Sequence, residues 1–354
     1  MPSITFGEAI RQATHDLMAA DERVVLIGEG VPDPKAVFNT TKGLQEAYPD
    51  RVFDMPVSEN GLTGVCIGLA IQGLRPILVH QRIDFSLYAM DQIVNNAAKW
   101  HSMYGGRSGS VPMVVRCILG RGWGQGNQHS QSLSHIYATI PGLKVVCPSN
   151  ARDAYNLFIS SVHDQNPVMF IEHRWLHNTT SEDTIPDAPN ELGKGKISGY
   201  GKDITIVAWS YMVAEALKAR EALKKINVSA EVVDLRTIRP LDTQIIKHSV
   251  NATGRLLVLE EAWKFNSLSG EIITQMIEEG VSFKTPPRRI TLPDYYSPSS
   301  HFISKYFYPQ TSQIVDTVCQ MVEAKEYFEL VKDLQDREQM RRLDVPDDSF
   351  KGPF

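Results

Sequence analysis

Short apolar runs alternate with amphipathic stretches along the first half of the chain. The apolar runs predict strands at 24–27, 75–79, 111–119, 143–147 and 167–172. Apolar residues with helical spacing predict helices at 5–19, 40–47, 61–73, 84–104 and 150–163. Thr5 and Glu8 have the spacing of a capping box at the first helix. This alternation predicts a parallel sheet with helices on both faces.

A polar segment without periodicity, at about 176–200, separates this pattern from a second one. The second pattern predicts strands at 204–209, 230–234, 256–260 and 288–292, and helices at 212–225, 242–250, 268–278 and 310–336. The sequence therefore predicts two doubly wound α/β domains, 1–178 and 201–324, joined by a linker at 179–200. A helical or loosely ordered tail is expected at 325–354, with its end from 344 onward loosely ordered.

Composition narrows the class of protein. The 354 residues are 42% hydrophobic and 22% charged, as in globular proteins, and the net charge of -5 gives no reason to expect a nucleic-acid partner. Four widely spaced cysteines without a CxxC pair indicate buried thiols in a reducing compartment. The chain shows neither a signal-peptide pattern nor an apolar run that would span a membrane, so a soluble cytoplasmic protein is expected.

One carboxylate occupies a position where ligands bind in α/β sheets. Residues 53–61 predict a short strand, a turn at Pro56 and a helix that begins near Ser58, which places Glu59 between a strand end and a helix start. A carboxylate there can act as an acid or base, but it can also simply stabilise the first helical turn through the helix dipole. Taken alone, the stretch favours the structural role.

Glycine-rich loops and a histidine offer weaker signals. The loops at 28–30 and 120–126 lack the full dinucleotide-binding pattern, and neither a Walker loop nor a GxSxG elbow is present. His129 follows the second loop, where it either transfers a proton or simply faces solvent. Phe85 and Tyr88 are either core residues or a platform for a flat ring. Gly61, Gly64 and Gly68 in the predicted 61–73 helix indicate that another backbone approaches this helix closely.

At residues 55–59 the sequence Met-Pro-Val-Ser-Glu resembles a signature of the β subunits of thiamine-diphosphate-dependent 2-oxoacid dehydrogenases, of the pyruvate and branched-chain types. Further similar motifs follow in family order, so that the resemblance covers about 4–323. They lie at 73–76, 84–85, 91–95, 97–99, 128–132, 141–146, 164–168, 201–207 and 234–242. The collinear order makes this resemblance more specific than any single motif.

The resemblance implies an N-terminal pyrimidine-binding domain and a C-terminal transketolase-type domain. Glu59 matches the carboxylate that hydrogen-bonds N1′ of the thiamine diphosphate pyrimidine, and Phe85 matches the aromatic residue that stacks on this ring. His129 matches the histidine near the substrate or the acyl acceptor. Further positions that the resemblance implies are Glu29, Val57 and Tyr88 for cofactor binding, and Asp164 and Asn166 for K⁺.

The GDG…N segment that holds the cofactor diphosphate through Mg²⁺ is absent from this chain. The resemblance therefore implies an α subunit that carries this segment, an α2β2 heterotetramer, and a β chain that is inactive alone. The glycine-lined 61–73 helix would then pack at the subunit interface. A lipoyl acyltransferase is a further expected partner.

Some segments depart from the dehydrogenase pattern. They are 80–83 (His-Gln-Arg-Ile), the loop at 121–127, the segment at 293–300 and the tail. His80, Arg82 and Arg121 suggest contacts to a polar or anionic substrate such as a sugar or its phosphate, or alternatively ion pairs at the interface. The leading function is oxidative decarboxylation of a 2-oxoacid with acyl transfer. A transketolase-like subunit and a non-catalytic assembly subunit are the alternatives.

Overall fold

A computed structural model describes residues 3–122, 124–181, 190–340 and 345. The chain forms two units. Of the described residues, the first unit contains those up to Gly120 together with those in Ile136–Leu192, and the second contains those in Arg121–His135 and from Gly193 to Val345. The prediction of two α/β units is confirmed. The segment 121–135 groups with the second unit, although the sequence places it inside the first predicted domain.

The strands of both units have the following bounds: β1 (Ile4–Thr5), β2 (Val24–Gly28), β3 (Val52–Asp54), β4 (Arg75–His80), β5 (Val114–Leu119), β6 (Lys144–Val146), β7 (Val168–His173), β8 (Thr180–Ser181), β9 (Lys196–Gly199), β10 (Ile204–Ala208), β11 (Ala230–Asp234), β12 (Thr237–Arg239), β13 (Leu256–Trp263) and β14 (Arg288–Leu292). In the described part of the first unit, parallel strands run in the order β6-β7-β5-β4-β2-β3. The second unit has the order β14-β13-β10-β11-β9, parallel except for β9. The strands β8 and β9 lie within the predicted 179–200 linker, whose residues 182–189 are outside the described residues.

The α-helices have the following bounds: α1 (Phe6–Ala20), α2 (Leu44–Ala47), α3 (Glu59–Ile71), α4 (Trp100–Met103), α5 (Ser134–Ala138), α6 (Ala151–His163), α7 (Tyr211–Lys224), α8 (Thr243–Thr253), α9 (Leu268–Glu278), α10 (His301–Phe307), α11 (Thr311–Val322) and α12 (Phe328–Met340). The Thr5 side chain accepts a hydrogen bond from the Glu8 N–H at 3.1 Å, which confirms the predicted cap of α1. None of the helices in the described ranges is long and apolar enough to cross a membrane.

The prediction of one long helix at 84–104 was wrong. The segment is a 3₁₀ helix over Ile83–Ala89, a π-helical stretch over Asp91–Ala97, and the short α4. Ser86 lies in the first of these pieces, where its hydroxyl reaches both the Ile83 carbonyl and the Tyr137 hydroxyl at 2.5 Å. These buried polar contacts compete with regular helical hydrogen bonding, and the hydrophobic spacing does not report them.

The predicted helix at 310–336 is two helices, since α11 ends at Val322, its C-cap residue Glu323 has a left-handed conformation (φ 54°), and α12 begins at Phe328. The predicted helical part of the tail therefore exists as α12. Val331 is buried in the core of the second unit, and the Glu338 carboxylate accepts a hydrogen bond from the Ser312 N–H at 2.9 Å. The expected loose order from 344 onward lies outside the described residues, apart from Val345.

Candidate functional site

The carboxyl ends of parallel strands bring several polar loops of the first unit to one edge of its sheet. Glu29 follows β2, and Asp54 and Glu59 end β3 and begin α3. His80 ends β4, which pairs with β2 on the side opposite β3. This edge is where open α/β sheets bind their ligands. The predicted strand, turn and helix around Glu59 are confirmed.

Asp54 ties the two loops that carry Glu29 and Glu59. One oxygen of its carboxylate accepts hydrogen bonds from the Gly30 N–H at 2.9 Å and from the Met55 N–H at 3.0 Å. The Gln81 side-chain amide donates to the Glu29 carbonyl at 2.9 Å. Gly30 has φ +66°, and a Cβ at this position would lie 2.6 Å from Gln81 Nε2, so another residue would be strained there and would displace the Gln81 amide. The loop that carries Glu29 is therefore held in place from both neighbouring strands.

Glu59 has the burial that a ligand-binding carboxylate needs. It is only 9% exposed, and the described residues supply no hydrogen-bond donor to its carboxylate. Its backbone carbonyl accepts from the Thr63 hydroxyl at 2.7 Å. A largely buried carboxylate binds a donor more strongly than an exposed one, because less water competes for it. A protonated ring nitrogen fits this requirement.

The carboxylates at this edge influence one another. Burial raises the pKa of Glu29, and the negative charges of Glu59 and Asp54 raise it further. Such a cluster of acidic groups favours a ligand that brings hydrogen-bond donors or positive charge.

The predicted ring-binding residues differ in exposure. The Phe85 and Tyr88 rings are nearly parallel, with an interplanar angle of 13° and centroids 6.5 Å apart. Phe85 is half-buried, whereas Tyr88 is 70% exposed and Val57 is 80% exposed. These side chains offer apolar surface on which a flat ring can stack.

Arg82 is part of a buried cluster in the first unit that also contains Arg174 and Phe38. Its guanidinium carbon lies 5.5 Å from the centre of the Phe38 ring, and that of Arg174 lies 4.5 Å from the same ring. Burial lowers the pKa of both arginines to about 10. With Arg82 only 3% exposed, its position favours packing on Phe38 over direct contact with a substrate.

The segment that carries Phe38 is strained. Residues 36–39 all have positive φ, between 43° and 67°, although none is glycine. This conformation costs roughly 1–2 kcal/mol per residue. The contacts of Phe38 with the arginines offset part of this cost, together with a hydrogen bond of 2.6 Å from Arg116 to Thr40. The cluster therefore stabilises the chain that follows the Glu29 loop.

His80 is a buried and uncharged histidine. Burial lowers its pKa to about 4, and its Nε2 has no hydrogen-bond partner within the described part of the chain. The ring therefore carries no positive charge near neutral pH, which removes one of the charges expected to attract an anionic substrate.

Because the folded pKa of His80 lies below the unfolded value of about 6.5, the unfolded chain binds the proton more readily. The contribution of His80 to stability is complete above pH 6.5 and is lost as the pH falls toward 4. On going from pH 7 to pH 5, His80 should lower the unfolding free energy of the wild type by about 2 kcal/mol. The variant His80→Leu should lack this part of the decrease. Urea unfolding at both pH values measures this loss. The exposed His163 provides the control, and equal pH dependence of His80→Leu and His163→Leu would contradict the prediction.

Arg121 is buried within the second unit. Its guanidinium lies 3.5 Å from the Glu261 carboxylate, 3.8 Å from the centre of the Tyr308 ring and 5.7 Å from that of Tyr211. This ion pair and the two ring contacts anchor the start of the 121–135 segment to its own unit. The geometry favours an anchoring role over the expected substrate contact.

His129 lies in the same segment, directly after a 3₁₀ turn over Gly126–Gln128, and is half-buried. The Ser297 hydroxyl donates to the Ser130 carbonyl at 3.0 Å. Gly126 has φ +61°, and a Cβ there would lie 2.3 Å from the Ser299 hydroxyl. Two segments that depart from the dehydrogenase pattern, 121–127 and 293–300, therefore pack against each other and hold the histidine loop.

Asp164 and Asn166 form a local turn after α6. The Asp164 carboxylate accepts from the backbone N–H of Asn166 at 2.8 Å and from its side-chain amide at 3.0 Å, and it forms an ion pair with Lys144. No group of three or more His, Cys, Asp or Glu side chains suited to a metal occurs in the described ranges. The K⁺ site stays a prediction.

Family models match both units. Residues 2–179 match the pyrimidine-binding domain of transketolase, and residues 193–314 match the transketolase C-terminal domain. The chain is 39% identical over 318 residues to the mitochondrial pyruvate dehydrogenase E1 component subunit beta-2 of Oryza sativa subsp. japonica, covering 88% of this chain and 84% of that protein. The chain belongs to the E1 β-subunit family of thiamine-diphosphate-dependent 2-oxoacid dehydrogenases. The family resemblance and the enzyme class that the sequence predicts are thereby confirmed.

Other relatives agree with this membership. The E1 component subunit beta of Rickettsia bellii is 40% identical over 288 residues, which cover 81% of this chain and 88% of that protein. A solved structure of a split gene transketolase, an inactive beta4 tetramer, has a TM-score of 0.74. It is 21% identical, covering 91% of this chain and 99% of that one, and supports the fold alone.

The sequence does not single out some of the residues that shape the candidate site. Asp54 and Gln81 are named only as parts of longer motifs, although both hold the Glu29 loop. Phe38 and Arg174 are missed altogether, because no local pattern shows that they meet Arg82. The only available signal for Asp54 and Gln81 is their position at or beside the ends of two apolar strands.

Proposed function

We propose that this chain acts on a 2-oxoacid as the β subunit of an E1 component and provides the pyrimidine half of a thiamine diphosphate site. The observation that carries the proposal is Glu59, a buried carboxylate at a strand–helix junction for which the described residues supply no donor. The family match across the first unit supports it. When bound, thiamine diphosphate supplies an electron sink for cleaving a bond next to a carbonyl.

Each proposed residue has one role. The Glu59 carboxylate accepts a hydrogen bond from pyrimidine N1′ and so controls the proton at that nitrogen. Phe85 packs against the ring face, while Val57 and Tyr88 extend the apolar surface. Glu29, with its raised pKa, is a second proton-holding group at the same edge of the sheet. In the second unit, His129 is proposed to exchange a proton with the substrate or the acyl acceptor.

The cofactor diphosphate and Mg²⁺ are proposed to bind mainly to an α subunit, since this chain lacks the GDG…N segment. The exposed face of α3 supports a partner in close contact. Gly61, Val65 and Gly68 are exposed at spacings of four and three residues, and a Cβ at Gly68 meets no atom within 4 Å in this chain. An α2β2 heterotetramer would cover this face.

The test of this proposal is reconstitution with an α subunit that carries GDG…N. We expect this chain alone to be inactive and the complex to decarboxylate a 2-oxoacid, with pyruvate and branched-chain 2-oxoacids as the first substrates. Reduction of lipoamide would then support a lipoyl acyltransferase as the next partner. Turnover of ketose donors without any 2-oxoacid activity would contradict the proposal and favour the transketolase-like alternative. Full binding of the α subunit with no activity on either class would favour the assembly subunit.

The relatives named above come from a mitochondrion and from a bacterium, so the cytoplasmic location stays a prediction. The same holds for K⁺ at Asp164 and Asn166.

A further inference from the structure

A polar cavity of about 600 Å³ lies in the second unit. None of the residues to which the proposed function gives a role lines it. Its walls come from Lys264 directly after β13, from β14, from α10 and from the start of α11, and α12 closes one side. This volume is within the range of pockets that bind small molecules.

The charges in this cavity are mostly positive. Lys264, Arg289 and Lys305 line it, and Glu338 is the acidic residue in its wall. The Glu338 carboxylate is engaged by the Ser312 N–H at 2.9 Å and by the Ser312 hydroxyl. In the described part of the chain, no ion pair joins any of the three cations to a carboxylate. Because the charge of Arg289 also acts on the buried Glu260 carboxylate, the excess of positive charge in the cavity comes mainly from Lys264 and Lys305.

The three cationic residues differ in exposure, since Lys264 is exposed whereas Arg289 and Lys305 are half-buried. Arg289 Nη1 donates to the Lys264 carbonyl at 3.0 Å and to the Ser267 hydroxyl at 2.7 Å, which fixes the guanidinium near the wall. Lys305 Nζ lies 4.9 Å from the centre of the Tyr306 ring. Partly buried charges are screened less by salt than fully exposed ones.

Side-chain amides complete the lining. Gln310, Gln313, Gln335 and Gln339 face the same space. The Gln310 amide nitrogen donates to the Lys305 carbonyl at 2.7 Å, which leaves its oxygen as an acceptor. A lining of cations and amides is suited to a ligand with several anionic oxygens and further hydroxyl groups.

The wall formed by α12 lies beyond the part of the chain that the family models match. The C-terminal match ends at residue 314, whereas α12 begins at Phe328 and contributes Gln335, Glu338 and Gln339. The other lining residues lie within the matched range, so α12 adds one wall from outside it to a cavity whose remaining walls belong to the matched domain.

We propose that this cavity is a binding site for a small, multiply charged anionic metabolite that carries phosphate or several carboxylate groups. The site belongs to the second unit, and the proposal does not depend on the cofactor or on the function proposed above. The cations neutralise the charge of the ligand, and the glutamines bind its neutral polar groups.

Isothermal titration calorimetry on the full-length chain at low ionic strength tests this site, with inorganic pyrophosphate and citrate as probes. We expect at least one probe to bind with one site per chain. Binding of pyrophosphate alone indicates a phosphate ligand, and binding of citrate alone indicates a polycarboxylate. If neither probe binds, the proposal is wrong.

The variant Lys264→Gln/Lys305→Gln removes two cations whose ammonium groups make no ion pair in the described ranges. We expect its Kd for the bound probe to rise at least tenfold. The exposed Lys202 lies outside the cavity, so Lys202→Gln is the matched control and should keep the wild-type Kd. Unfolding midpoints of both variants establish that they are folded. A Kd of the double variant within threefold of wild type overturns the proposal, because the probe then binds elsewhere.

Discussion

Glu59→Gln is expected to lower the kcat of the reconstituted complex by at least about a thousandfold, which corresponds to about 4 kcal/mol of activation free energy. Glutamine has nearly the same shape as glutamate but no negative charge. In a site that is only 9% exposed, that charge interacts strongly with a proton on a ring nitrogen, since little water competes for it. The substitution should therefore affect the rate much more than the fold.

Two measurements separate the catalytic role of Glu59 from its alternative role at the helix start. Hydrogen–deuterium exchange at C2 of the cofactor, followed by NMR, should slow together with turnover. If Glu59 only stabilised the first turn of α3, the variant would lose about 0.3–1 kcal/mol of stability and keep its activity. The exposed Glu46 supplies the control Glu46→Gln. Wild-type C2 exchange in Glu59→Gln would show that the catalytic assignment is wrong.

Arg116→Met is expected to lower the free energy of unfolding by about 3–5 kcal/mol, because it leaves a buried carboxylate without its main partner. Arg116 and Glu172 are both fully buried and form an ion pair. A second hydrogen bond joins Arg116 Nη2 to Glu172 at 3.2 Å, and His177 Nε2 lies 3.0 Å from the same carboxylate. Burial alone would raise the pKa of Glu172, but Arg116 and His177 lower it below its usual value.

Chemical denaturation of the chain measures this effect. The double variant Arg116→Met/Glu172→Gln should recover part of the loss, because no unpaired charge remains. Arg337 forms an exposed ion pair with Asp333 at 2.8 Å, so Arg337→Met should cost less than about 1 kcal/mol. Similar losses for Arg116→Met and Arg337→Met would contradict the prediction. Since the folded pKa of Glu172 is depressed, the stability from this pair is present at neutral pH and is lost on acidification.

Local signals predicted the elements around the candidate site correctly. The strand and helix on either side of Pro56 exist as β3 and α3, and the cap at Thr5 forms as its spacing indicates. These features depend on neighbours within a few residues, and such neighbours are visible in the sequence. The helix prediction for 84–104 was wrong for the opposite reason, since Ser86 forms a hydrogen bond with Tyr137, a residue 51 positions away.

Local signals did not predict the roles of His80, Arg82 and Arg121, because these roles depend on burial. From the sequence, His80, Arg82 and Arg121 look like one polar group that faces a substrate. In the structure, His80 is buried and neutral, Arg82 packs on Phe38, and Arg121 is anchored within the second unit. Residue type reports the charge that a side chain can carry, but only its surroundings decide the pKa and the partners.

The sequence by itself determined the two α/β units, the family and the position of Glu59 at a strand–helix junction. Each of these depends on periodicity or on motifs in a fixed order, which are properties of the chain alone. Only the tertiary structure decided that Asp54 and Gln81 hold the Glu29 loop, that Glu59 is buried without a donor among the described residues, and that α12 closes a cationic cavity. These features arise from contacts between residues far apart in sequence, and burial and hydrogen bonding exist only once those residues have come together.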